Sequence, residues 1–243
     1  MLRNLLIVTS LLFLLTSCAF TEEIHINNDG SGTYNFKIDM SEMMQEMQDM
    51  GTKDSTAASK SIDTTFNFKD ILDEKKDSIA QLSKEEQAAI KAIADMNLHL
   101  QVDDEKGKML MDFGLNFKDV SEIKNMEEKL TKAMSVNKNK GNAPLMNKSN
   151  VTFSLNGNNF VRKTIPKKLT TEEENEVDKS IQQSGSFLDG SMYKLIYHFE
   201  KKIKSVSHKK ASISNDGKTL TIEVPMDSLV KNPKLLDFTL KLK

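Results

Sequence analysis

The sequence predicts an α+β fold: an antiparallel sheet built from several β-hairpins, with amphipathic helices on one face in repeated ββα units. Short stretches with an apolar residue at every second position recur along the chain. Polar, Gly-bearing turns join these stretches in pairs, and apolar stripes at helical spacing fall between the pairs. Each strand is apolar on one side only, as antiparallel sheet covered on a single face requires.

The first pair sets the pattern. Ile24 and Ile26 face one way while Glu23, His25 and Asn27 face the other. Asn28-Asp29-Gly30-Ser31-Gly32 turns the chain, and Tyr34, Phe36, Ile38 and Met40 alternate on the return. Leu98, Leu100 and Val102 lead through Asp103-Asp104-Glu105-Lys106-Gly107 into Met109, Met111, Phe113, Leu115 and Phe117. Val151, Phe153 and Leu155 reach Asn156-Gly157, and a strand from Phe160 to Ile165 follows. Tyr193, Leu195, Tyr197 and Phe199 share a face. Asn215-Asp216-Gly217 turns into Leu220, Ile222 and Val224, and Leu236, Phe238, Leu240 and Leu242 form the last strand.

Helices occupy the intervals. Ile71, Leu72, Ile79 and Leu82 fall on one helical face, and Ser83-Lys84-Glu85-Glu86 is a capping box opening a helix toward Met96. Ile123, Met126, Leu130, Ala133 and Met134 make another stripe, and Thr170-Thr171-Glu172-Glu173 opens an acidic helix ending near Gln183. Asn35-Phe36-Lys37, Asn67-Phe68-Lys69 and Asn116-Phe117-Lys118 each precede a residue able to cap a following helix. Their irregular spacing argues for a ββα unit used more than once, not a solenoid. The stretches 51–60 and 137–144 are small, polar and rich in breakers, and read as linkers.

Met1-Leu2-Arg3-Asn4 followed by the apolar run from Leu5 to Leu15 has the form of a secretory signal, too short to span a bilayer comfortably. Leu15-Thr16-Ser17-Cys18 resembles the lipobox of bacterial lipoprotein precursors. That resemblance implies a signal peptide over 1–17, cleavage before Cys18, and a lipid on its thiol carrying acyl groups such as palmitate. Cys18 is the single cysteine of 243 residues, so no disulfide is available and the fold rests on its apolar core. The mature chain, 18–243, reads as one lipid-anchored domain or as two packed lobes divided near 137–149. Ala19, not Asp, follows the cysteine, which in proteobacterial lipoproteins favours the outer membrane. Lys+Arg 34 against Asp+Glu 35 leaves no global field for nucleic acid.

Five methionines stand among the eleven residues from Met40 to Met50. At helical spacing they fall within an arc of about 120°. Three chemistries suit such a stripe: core packing on the sheet, a deformable apolar groove, and thioether binding of Cu(I). The groove reading assigns Met43, Met44 and Met47, with Met111 from the second unit, to a lipid or hydrophobic partner. The copper reading lacks a neighbouring Cys or His ligand.

Catalytic and metal motifs are missing. His25, His99, His198 and His208 lie singly on strands, with no second His or acid at a ligand spacing such as His-x-x-x-His. No nucleophile elbow, phosphate loop or calcium-loop register is present, and no carboxylate pair is singled out as acid and base. The expectation is therefore a non-enzyme with no cofactor, no metal site and no catalytic residue. Lys201, Lys202 and Lys204 with Lys209 and Lys210 make a basic strand, suited to anionic headgroups or to blocking edge-to-edge aggregation.

The lipobox, the segment Glu22-Glu23-Ile24-His25-Ile26-Asn27-Asn28-Asp29-Gly30-Ser31-Gly32, the Met-rich helix and Tyr197-His198-Phe199 resemble a group of uncharacterised Bacteroidetes outer-membrane lipoproteins. Asp54-Ser55-Thr56 and Asp63-Thr64-Thr65 likewise resemble the O-glycosylation sequence of exported Bacteroidetes proteins, which would modify Ser55 and Thr64. More distantly the hairpins at the two ends are similar to the LppM-type lipoprotein domain, an α+β fold implicated in glycolipid contact. The reading is a lipid-anchored binding module that holds an amphiphile or envelope component between its Met-bearing helices and the sheet. The alternatives are an accessory lipoprotein working by protein contact and, third, an envelope hydrolase.

Overall fold

The computed structural model describes residues 20–49, 61–126, 129–130, 133, 149–183, 188 and 190–243. The chain from Phe20 forms β1 (Phe20–Ile26) and β2 (Gly32–Asp39), then helix α1 (Ser41–Asp49). Strand β3 (Ser61–Asn67) leads through short helices α2 (Phe68–Glu74), α3 (Lys76–Ala80) and α4 (Lys84–Lys91) to the hairpin β4 (Asn97–Asp103) and β5 (Lys108–Phe117). A second hairpin, β6 (Ser149–Asn156) and β7 (Asn159–Pro166), precedes α5 (Thr171–Gln183). The C-terminal part holds β8 (Met192–Phe199), β9 (Ile203–Val206), β10 (Ser212–Ile213), β11 (Thr219–Pro225), α6 (Met226–Lys231) and β12 (Phe238–Leu242). The α+β class and the predicted hairpins are those observed.

The strands divide into two sheets, in the orders β10-β11-β8-β1-β2-β5-β4-β3 and β6-β7-β12-β9. Pairing is antiparallel except between β1 and β8, which run parallel with Ile24 opposite Tyr197. Turn signals specify partners adjacent in sequence, so a join between two distant strands leaves no local trace. The sheets face one another through aromatic rings: Phe160 of β7 lies edge-on to Tyr197 at 5.8 Å and to Phe199 at 5.5 Å. On the larger sheet Phe20, Phe36 and Tyr193 form a cluster with centroids 6.3 to 6.4 Å apart.

The second sheet thus shares with the helices the cover that the sequence assigns to helices alone. Helices α2, α3 and α4 contain no buried residue. Their predicted stripe, Ile71, Leu72, Ile79 and Leu82, is half-buried throughout and is broken between two helices. The caps behave as read. Ser83 accepts from the Glu86 amide while the Glu86 carboxylate accepts from the Ser83 amide. Asp39, Asn67 and Asp119, which follow or sit in the three Asn-Phe-Lys segments, accept from the amides of Ser41, Lys69 and Ser121 at 2.8 to 2.9 Å. The basic strand lies at the edge of the smaller sheet, with Lys201, Lys202 and Lys204 exposed.

Gly32 closes the first hairpin where no side chain fits. A Cβ there would lie 1.8 Å from the His25 carbonyl oxygen and 2.7 Å from the Phe117 ring. Backbone cannot give way as a flexible side chain can. Gly32→Ala is therefore expected to lower stability by roughly 2–3 kcal/mol, as overpacking does. Urea unfolding checks this through a lower midpoint at unchanged slope.

Candidate functional site

Alternation along β1 puts Phe20, Glu22, Ile24 and Ile26 on the inner face, so a carboxylate shares a side with three apolar residues. Strand β7 does the same with a cation, placing Arg162 between Phe160 and Thr164 on its buried side. Glu22 is 2% exposed and Arg162 3%. Two ions so completely removed from water must be paired and hydrogen-bonded, because the desolvation cost of each is several kcal/mol (about the worth of the fold's whole margin).

The pairing is found across the gap between the sheets. Arg162 Nε lies 3.5 Å from Glu22 Oε1 and donates to the Tyr197 hydroxyl at 3.2 Å. One guanidinium NH2 group, Nη1, donates to the Leu236 carbonyl at 3.4 Å. Tyr193 donates to Glu22 Oε2 at 3.1 Å, and Tyr197 donates to Oε1. The guanidinium also stands over the Phe153 ring, 5.9 Å from its centroid. Two phenols and a guanidinium thus surround one carboxylate. Burial pushes the Tyr197 hydroxyl well above the ordinary tyrosine range, and the Glu22 charge adds to it; Arg162 opposes.

This network forms part of the lining of an open cavity between the sheets. Glu22, Tyr34, Tyr193 and Arg162 contribute from the strands. Ile123, Met126, Val151, Phe153, Ile181 and Leu236 give it apolar walls. The cavity is about 710 Å³ including the open solvent at its mouth. The enclosed interior is much smaller and suits a narrow group such as an acyl chain end. Asn125 also lines it, and its Oδ1 is buried with no hydrogen-bond partner among the described residues. A buried acceptor left unmatched costs about 1–3 kcal/mol, and this one belongs to a residue that borders the cavity. Asn125 itself has φ 56°, a left-handed conformation that asparagine tolerates better than most residues.

Three of the four methionines expected to form a groove lie away from this cavity. Met43, Met44 and Met111 are half-buried, with α1 lying against β5 and Met111 packed on the core. None of the three lines the cavity, whereas Met126 does. The Met47 side chain, Cys18 and Ser55 lie outside the described residues. Thr64 is half-buried in β3, an edge strand of the larger sheet. Sequence reasoning missed Glu22, Arg162 and Asn125. A charged residue in phase with an apolar face was the available signal for the first two, and nothing local marks the third.

No protein-family model matches the chain, and no curated protein matches it in sequence. Among solved structures, the folded domain of LppM from Mycobacterium tuberculosis, determined by NMR, is similar at TM-score 0.33 and 8% identity. The match covers 95% of this chain and 93% of that one.

The sign of the tyrosine shift gives a test. A phenol whose folded-state pKa is raised contributes stability that is intact below the unfolded value of about 10 and is lost as pH rises above it. With ring-labelled tyrosine, the Tyr197 Cζ resonance is expected to stay constant through pH 10 and to change only with unfolding. Titration near pH 10 in the folded protein would contradict its burial.

Proposed function

We propose that the protein is a lipid-anchored envelope module that holds one amphiphile in the cavity between its two sheets. The observation that carries this is an apolar, open-mouthed cavity whose lining includes the buried Glu22–Arg162 pair and Asn125. Apolar walls with few, fixed polar groups are the usual composition of small-ligand sites. The apolar walls suit the end of an acyl chain, with the polar end of the amphiphile toward the mouth. The chemistry is binding: no group in the cavity is proposed as nucleophile or general base.

The anchor is assigned from the lipobox. Acylation at Cys18 would tie the domain closely to the bilayer, since Glu22 stands four residues on. Extended chain covers at most about 3.6 Å per residue, so the first cavity residue would sit within roughly 14 Å of the lipid. The outer membrane is the proposed location, on the strength of Ala19 after Cys18 and of the resemblance to Bacteroidetes lipoproteins.

Native mass spectrometry on the protein taken from its membrane tests this, before and after organic extraction. Bound mass that extraction removes is expected, and Ile181→Trp, which fills the cavity wall, should lower its occupancy with circular dichroism unchanged. A bare protein that takes up neither added fatty acid nor phospholipid would refute the proposal.

A further inference from the structure

Strand β1 has a second face. Glu23 and His25 alternate with the buried residues and point to the outside of the larger sheet, and the parallel pairing sets His25 directly beside His198 of β8. The imidazole rings stack at 4.1 Å with 9° between their planes. Glu23 Oε1 reaches both, lying 3.1 Å from His198 Nε2 and 3.5 Å from His25 Nε2. One ligand atom from each of the three residues lies within 4.8 Å of the others.

We propose that Glu23, His25 and His198 bind a zinc ion on the outer face of the sheet, leaving a fourth coordination place open to water. Two imidazole nitrogens and a carboxylate oxygen are a donor set that suits zinc. Ligand atoms about 2.0–2.2 Å from a tetrahedral zinc stand roughly 3.3–3.5 Å from one another. The separations from Glu23, 3.1 and 3.5 Å, are close to that size. The rings lie nearly parallel, so both must rotate for their Nε2 lone pairs to converge on one ion.

The surroundings support the assignment. His198 Nδ1 lies 3.1 Å from the Thr219 hydroxyl oxygen, a partner that can accept its N–H and fix Nε2 as the metal-facing nitrogen. Lys37 holds the other carboxylate oxygen, Oε2, at 2.6 Å and so orients Glu23 with Oε1 toward the histidines. The His25 side chain is 53% exposed, which gives the ion a route in. All three ligands sit on adjacent hydrogen-bonded strands, a rigid platform rather than loops.

The site is independent of the cavity, which opens on the opposite face of the same strand. Calorimetric titration of tag-free protein with zinc chloride tests it. One zinc per chain is expected, with affinity falling at least about tenfold in His198→Ala and in Glu23→Gln. In the unaltered protein, zinc should shift the ring nitrogen resonances of His25 and His198 and leave those of His99 and His208 in place, which reads the site without any variant. No binding at about 100 µM zinc, binding that both variants retain, or shifts at the other histidines instead would overturn the proposal.

Discussion

The Glu22–Arg162 pair is the constraint on which the rest of the structure depends. It takes one charge from the larger sheet and one from the smaller, and buries both at the point where the sheets face each other. Neither ion is tolerable alone, so the sheets must approach at the distance and angle that let the two meet. Tyr193, Tyr197, the Phe153 ring and the Leu236 carbonyl then complete the shell. The pair marks where the sheets meet and keeps polar atoms in the lining of the cavity.

Strand β1 lies in the middle of this arrangement and serves both of its faces. Its neighbours are β2 on one side and β8 on the other, so it is a central strand from its first residue. Period-two alternation sends Glu22 inward to the ion pair and Glu23 outward to the histidines. A register slip of one residue would exchange these roles, burying Glu23 and His25 and exposing Phe20. The parallel join to β8 is what brings His198 to His25, and Tyr197 to the other side of the same sheet beside Glu22.

How much of this was legible in the sequence follows from the range of each signal. Alternation and turn residues are local, and they placed the hairpins around Gly30, Gly107, Gly157 and Gly217, each with positive φ in the structure. Capping is local too, and Ser83 with Glu86 closes the box that its spacing announces. The division into two sheets and the β1–β8 join depend on contacts between distant residues. Histidines that stand singly in sequence become a stacked pair for that reason. Glu22 could have been read as out of place among apolar residues, because it is in phase with Ile24 and Ile26. The methionine stripe drew attention through composition, yet flexible methionine packs as readily as it binds, and composition alone does not say which.

The buried ion pair couples the sheets, and a double-mutant cycle in Glu22→Gln and Arg162→Met reads that coupling through chemical unfolding. Each single change should cost about 3–5 kcal/mol by stranding the other charge, while the double variant recovers about 2 kcal/mol or more of the sum. Costs that simply add, within about 0.5 kcal/mol, would mean that the two residues do not interact and that other contacts hold the sheets together.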